Sequence, residues 1–156
     1  MTAIICRIVE VCVFRFAKDR PEYLVLQRAA DEPLHPGIWQ MVTGTIDGDE
    51  KASETAIREL KEETRLRPDR FWAAPHVSTF YDVGLDAVNV SPLFAAQVGP
   101  GEEPVLSSEH QRHEWLPYRQ AAQRLIWPGQ RQGLAIVHEY LLGGEEAGRR
   151  TMLPLR

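Results

Sequence analysis

The chain has 156 residues, 44% of them hydrophobic and 26% charged, which is the composition of one globular domain and excludes a mainly disordered chain. At this length roughly two thirds of the unfolded surface can be buried, so folding requires neither a metal nor a disulfide. Eighteen basic residues against 22 acidic ones leave a net charge of -4, which argues against a nucleic-acid binder working by bulk charge. An anionic ligand would need another holder, most simply a divalent cation.

No apolar run approaches a membrane span. Met1 to Ile5 lacks the basic segment and long apolar core of a signal peptide, so a cytoplasmic location is expected. Ile4 to Phe16 is rich in β-branched and apolar residues and reads as one long strand. Cys6 and Cys12 would share a face of it about 20 Å apart, too far for a disulfide, and are expected as two buried thiols. A turn at Asp19 to Glu22 leads to a partner strand, Tyr23 to Gln27. Asp31 to Gly37 is a loop with two prolines, and Ile38 to Thr43 a short strand. Helical periodicity runs from Ala52 to Leu66 and stops before Arg67-Pro68. His76 to Val83 and Ala87 to Val98 read as strands. Gly99 to Pro104 reads as a mobile linker with solvated Glu102 and Glu103, and Glu114 to Leu116 as a short strand. Tyr118 to Ile126 and Gln130 to Leu142 read as helices split by Trp127-Pro128-Gly129. The domain is expected over residues 1–142, with 143–156 a flexible tail. This order of elements predicts an α/β fold, a mixed sheet covered by helices on both faces.

The helix at Ala52 to Leu66 is the informative element. At about 100° per residue, Ala56, Ile57, Leu60 and Thr64 form the core stripe, and Glu54, Lys61 and Arg65 the solvent stripe. Arg58, Glu59, Glu62 and Glu63 fan across the remaining arc. Glu59 repels Glu62 and Glu63 at i,i+3 and i,i+4 spacing, so a bare helix gains nothing from the cluster. A hard cation removes that penalty, because Mg²⁺ prefers carboxylate, water and phosphate oxygens. The plain alternative is a solvated acidic face. The turn-rich loop before the helix, Val42 to Glu50, weighs against it, since glycines there let backbone approach an ion closely.

Gly44, Glu50, Arg58, Glu59, Leu60, Glu62, Glu63 and Leu66 stand at the spacing of the Nudix hydrolase signature. The chain resembles that family from end to end apart from the tail, which implies the Nudix α-β-α sandwich. One position departs: Arg65 stands where the family has glycine. Either Arg65 takes the left-handed conformation at a cost of about 1 kcal/mol, or the helix runs one residue further.

The resemblance implies hydrolysis of a nucleoside diphosphate linked to another group, dependent on Mg²⁺ or Mn²⁺. It places Glu59, Glu62, Glu63 and the Gly44 carbonyl on the metal. Glu50 pairs with Arg58 to orient the cluster, so that Arg58 belongs to the catalytic set with Glu59 and Glu109. The base that activates water is either Glu59 or a glutamate from a distant loop. For the latter Glu109, in Ser107-Ser108-Glu109-His110, is chosen over Glu114. His110 and His113 are read as surface residues and left out.

The segment Ile38 to Gly44 and the order Glu109-His110, Glu114-Trp115-Leu116, Gln130-Arg131-Gln132 are most similar to the bacterial dihydroneopterin triphosphate and dATP pyrophosphatases of the family. The implied reaction turns a nucleoside or pterin triphosphate into a monophosphate plus pyrophosphate. The alternatives are an ADP-ribose or dinucleoside polyphosphate hydrolase, or a silent nucleotide-binding regulator. Arg28 is a candidate for a phosphate, Trp39 for stacking on the ring, and Arg131 for an anion; each also reads as an ordinary structural residue. The expected partner is a small phosphorylated substrate, with no membrane and no nucleic acid, on a monomer or homodimer.

Overall fold

The computed structural model describes residues 1–156, apart from the side chain of Glu145. The expected first strand is two strands, β1 (Ala3–Ile5) and β2 (Ile8–Ala17). Both run parallel to β7 (Ala87–Gln97), but six residues from Ile5 to Glu10 face five from Asn89 to Leu93. The extra residue interrupts the ladder at Cys6-Arg7 as a bulge does. Cys6 is consequently exposed and only Cys12 is buried, which corrects the expectation of two buried thiols.

β2 carries different neighbours along its other edge. Its first half pairs with β5 (Val42–Thr45) and its second half with β3 (Arg20–Arg28). β3 then pairs on both sides, with β4 (Trp39–Gln40) and β8 (His110–Leu116). Met41 separates β4 from β5 because its N–H donates to the Gln130 side chain at 2.9 Å instead of a strand. β6 (Arg70–Asp82) pairs with β7 and begins six residues earlier than expected, its register shifting between Ala73 and Val77 to accommodate Pro75.

Alternation along β2 divides the core in two. Val9, Val11 and Val13 pack with Ala56 and Leu60 of α1 (Ala52–Thr64). Cys12 and Phe14 pack on the opposite face with Ala121 of α2 (Tyr118–Arg124) and Leu134 of α3 (Pro128–Ile136). This is the expected α/β sandwich, a mixed sheet between helices. α3 continues as a π-helical turn, Val137–Leu142.

Residues 143–156 are not a loose tail. α4 (Glu145–Thr151) is followed by β9 (Met152–Leu153), which pairs with Phe71 and Trp72. The Trp72 Nε1–H donates to the Gly148 carbonyl at 3.0 Å. A buried indole nitrogen requires an acceptor, and the tail supplies it. The linker is also held. Arg15 of β2 donates from Nη1 to the Glu102 carbonyl and to Glu103 Oε1, both at 2.8 Å. Its guanidinium lies 4.2 Å from the Trp115 ring centre, and Arg15 holds the Glu103 carboxyl below its usual range.

Candidate functional site

The acidic fan is organised by Arg58. Its Nε and Nη2 donate to Glu50 Oε1 and Oε2, each at 2.9 Å. Nη1 reaches Glu59 at 2.8 Å and Glu62 at 3.2 Å, and Nη2 also reaches the Thr45 carbonyl at 3.0 Å. Every guanidinium donor therefore has a protein partner, and Arg58 ties the loop before α1 to the helix. The pairing with Glu50 is the one expected from the sequence. Thr55, fully buried, adds a 2.7 Å hydrogen bond to Glu50. Hydrogen bonds from Arg58, then Thr55, hold the Glu50 carboxyl down to about 2.

Gly44 is required at its position: a β-carbon there would fall inside the Glu59 side chain. Gly44, Glu59, Glu63, Glu109 and Arg28 line one cleft of about 290 Å³. Glu62 joins Glu59, Glu63 and Glu109 along a second of about 260 Å³. Burial, with the charges of Glu62 and Glu109, raises the Glu59 carboxyl despite its bond to Arg58. Glu63 is raised further, by burial first and then by Glu109 and Glu59. Its burial follows from the wheel: Glu63 comes seven residues after the core residue Ala56, only about 20° away.

Glu109 reaches the cluster because the preceding loop is tied to the end of α1. The Val105 N–H donates to the Thr64 carbonyl at 2.8 Å and the Ser107 N–H to the Glu63 carbonyl at 3.1 Å. The Ala29 N–H, beyond β3, donates to the Glu109 carbonyl at 2.8 Å. Glu114 points elsewhere and pairs with Arg124 at 2.9 Å. Arg65 ends α1 in the left-handed region with φ 63°, its N–H on the Lys61 carbonyl, so the first of the two expected outcomes holds.

Trp39 and Arg131 lie outside both cleft linings. Trp39 sits under the Arg124 guanidinium, 4.8 Å from its ring centre, and the Arg131 Nε donates to the Leu125 carbonyl at the end of α2. His110, read as a surface residue, is buried. Thr55, the Thr45 carbonyl and His110 were missed; a hydroxyl four residues after the N-cap of a charged helix was the one signal available for Thr55.

Among the described residues no three Asp, Glu, His or Cys side chains are already closed around one point. The donors nevertheless fit a hard divalent cation. Glu59, Glu63 and Glu109 line one cleft together with Gly44, a set of oxygen donors only, and Mg²⁺ uses one or two carboxylates together with waters and phosphate oxygens.

A NUDIX domain model matches residues 7–135. The chain belongs to the Nudix hydrolase family. Over 129 residues this Nudix chain is 30% identical to the dihydroneopterin triphosphate diphosphatase of Escherichia coli (strain K12), covering 74% of the chain and 82% of that relative. A 56-residue stretch is 52% identical to the protein of the same name from Haemophilus influenzae, covering 36% of the chain and only 33% of that relative's length. The Nudix fold is also similar to that of a Caenorhabditis elegans Ap4A hydrolase, with a TM-score of 0.73 over 89% of this chain and 99% of that one at 21% identity. No helix among the described residues is long and apolar enough to cross a membrane.

Proposed function

We propose that this Nudix chain cleaves an internal phosphoanhydride of a nucleoside or pterin triphosphate, releasing a monophosphate and pyrophosphate. The observation that carries the reading is the crowding of three carboxylates, Glu59, Glu63 and Glu109, on the walls of the same clefts, where burial and their mutual repulsion raise Glu63. Glu59, Glu62, Glu63 and the Gly44 carbonyl would hold Mg²⁺ or Mn²⁺. Such an ion, when bound, neutralises phosphate charge and lowers the pKa of water.

The protein's own groups supply the rest. Arg28 is the one cationic side chain on the wall of the larger cleft among the described residues; its Nε and Nη2 are held by the Leu34 carbonyl and Glu32, and its remaining donors would bind phosphate oxygens. Arg58 and Glu50 fix the fan. Glu59 or Glu109 takes the proton of the attacking water, both facing the clefts. The diphosphatase of Escherichia coli supports a pterin triphosphate as the first substrate to try.

The test is a panel of dihydroneopterin triphosphate, nucleoside triphosphates, ADP-ribose and diadenosine polyphosphates, with pyrophosphate and orthophosphate read separately. Pyrophosphate is expected from a triphosphate, with no turnover in EDTA. Full turnover in EDTA, or sequential release of orthophosphate, overturns the reading. Cleavage of ADP-ribose without any triphosphate transfers the substrate to that class, and binding without turnover identifies a silent regulator.

A further inference from the structure

Behind Glu63 lies a second buried group without partners. The His110 side chain is 0% exposed and that of Glu63 4% exposed, with Nδ1 of the ring 3.9 Å from Glu63 Oε2. Neither ring nitrogen has a hydrogen-bond partner, and neither has that carboxylate oxygen. Three buried polar atoms left unmade in one place is a costly arrangement for a folded domain.

The backbone already fixes both groups. The His110 N–H donates to the Ser107 carbonyl at 3.3 Å, and the Ser107 N–H donates to the carbonyl of Glu63 itself. On its other side His110 pairs with Arg28 across β3 and β8. Ring and carboxylate are thus carried by segments bonded to one another, and a movement of about 1 Å brings Nδ1 and Oε2 to hydrogen-bond distance.

We propose that His110 is a positioning residue for Glu63: the ring donates its Nδ1–H to Oε2 and leaves the other carboxylate oxygen to face the cleft. This rests on the metal-dependent reading above. A carboxylate ligand held by a hydrogen bond from behind binds its ion more tightly than a free one. A ring that merely fills space would serve as well without nitrogen.

That difference is the test. His110→Phe keeps the ring and removes the donor, His110→Leu is a second donor-free variant should the first misfold, and His110→Asn places an amide N–H where Nδ1 stands. Mn²⁺ affinity is measured on the free protein by calorimetry and electron paramagnetic resonance, with thermal melts alongside, in the wild type and in a Glu63→Gln background. The donor-free variants are expected to weaken Mn²⁺ binding about 10- to 100-fold, with His110→Asn recovering most of it. In the Glu63→Gln background they should add nothing. Wild-type affinity in the donor-free variants overturns the assignment. So does equal loss in His110→Asn, or an undiminished effect without the Glu63 carboxylate. Failure of the wild type itself to bind Mn²⁺ is a different result, which overturns the metal reading and this assignment with it.

Discussion

Arg58 grips Glu50 at two points, Nε on one carboxylate oxygen and Nη2 on the other, each at 2.9 Å. The same guanidinium holds Glu59, Glu62 and the Thr45 carbonyl. Lysine offers three donors from one point and cannot reproduce a planar fork. Arg58→Lys is expected to lower kcat about 100-fold through misplaced carboxylates, with the Mg²⁺ requirement shifted to higher concentration. The check is kcat under Mg²⁺ titration; an unchanged titration would show that the fork is ornamental to the site.

Glu50 and Glu63 titrate in opposite senses. With Glu50 held to about 2, its stabilising contribution is complete above the ordinary carboxylate range and is lost as pH falls toward 2. Glu63 lies well above its usual 4.5, so the folded protein binds that proton more tightly than the unfolded chain. Stability of the metal-free protein must then decline as pH rises from 4.5 through the raised value. Melting temperatures in EDTA from about pH 4 to pH 8 should show that decline, and Glu63→Gln should flatten it. A flat wild-type profile would count against the burial of an ionisable Glu63.

The carboxylates should divide by role. Glu62→Gln or Glu63→Gln removes a charged ligand and is expected to cost about a thousandfold in kcat while leaving the fold intact. Glu109→Gln should lower the rate by about 10²–10⁴ while Mn²⁺ still binds through α1. Glu114→Gln, whose partners are Arg124 and Arg112 outside the clefts, should be nearly silent. A damaging Glu114→Gln beside a harmless Glu109→Gln would reverse the loop assignment.

Arg65 holds φ 63°, a region that disfavours any residue with a β-carbon. Arg65→Gly should stabilise the protein by about 1 kcal/mol without altering kcat, because the turn is kept and the strain removed. Chemical denaturation of the two proteins measures this directly, and a loss of stability would mean that the arginine side chain compensates for its backbone.

The site was legible where chemistry depends on local spacing. Glu59, Glu62 and Glu63 are placed by the pitch of one helix, and Gly44 by the need to clear Glu59. What escaped depends on contacts between distant segments. Nothing local in Gly99 to Pro104 announces Arg15, nearly ninety residues earlier, as its clamp. The tail has the composition of a loose end, yet a tryptophan at the start of β6 needs its carbonyl. Pro75 hid the first half of β6, because proline inside a strand reads as a boundary unless a bulge excuses it. His110 follows a loop glutamate in a polar stretch, and only the pairing of β8 with β3 turns its ring inward.

The break in the first strand leaves one sulfur outside and one inside. Cys6 stands exposed at the interruption, whereas Cys12 lies at the centre of the sheet, where burial pushes its thiol far from ionisation. A mild alkylating reagent therefore counts one group on the native molecule and a second only when the sheet itself opens. The delay between the two reactions is a built-in clock for whole-molecule opening, readable by mass without adding any label site.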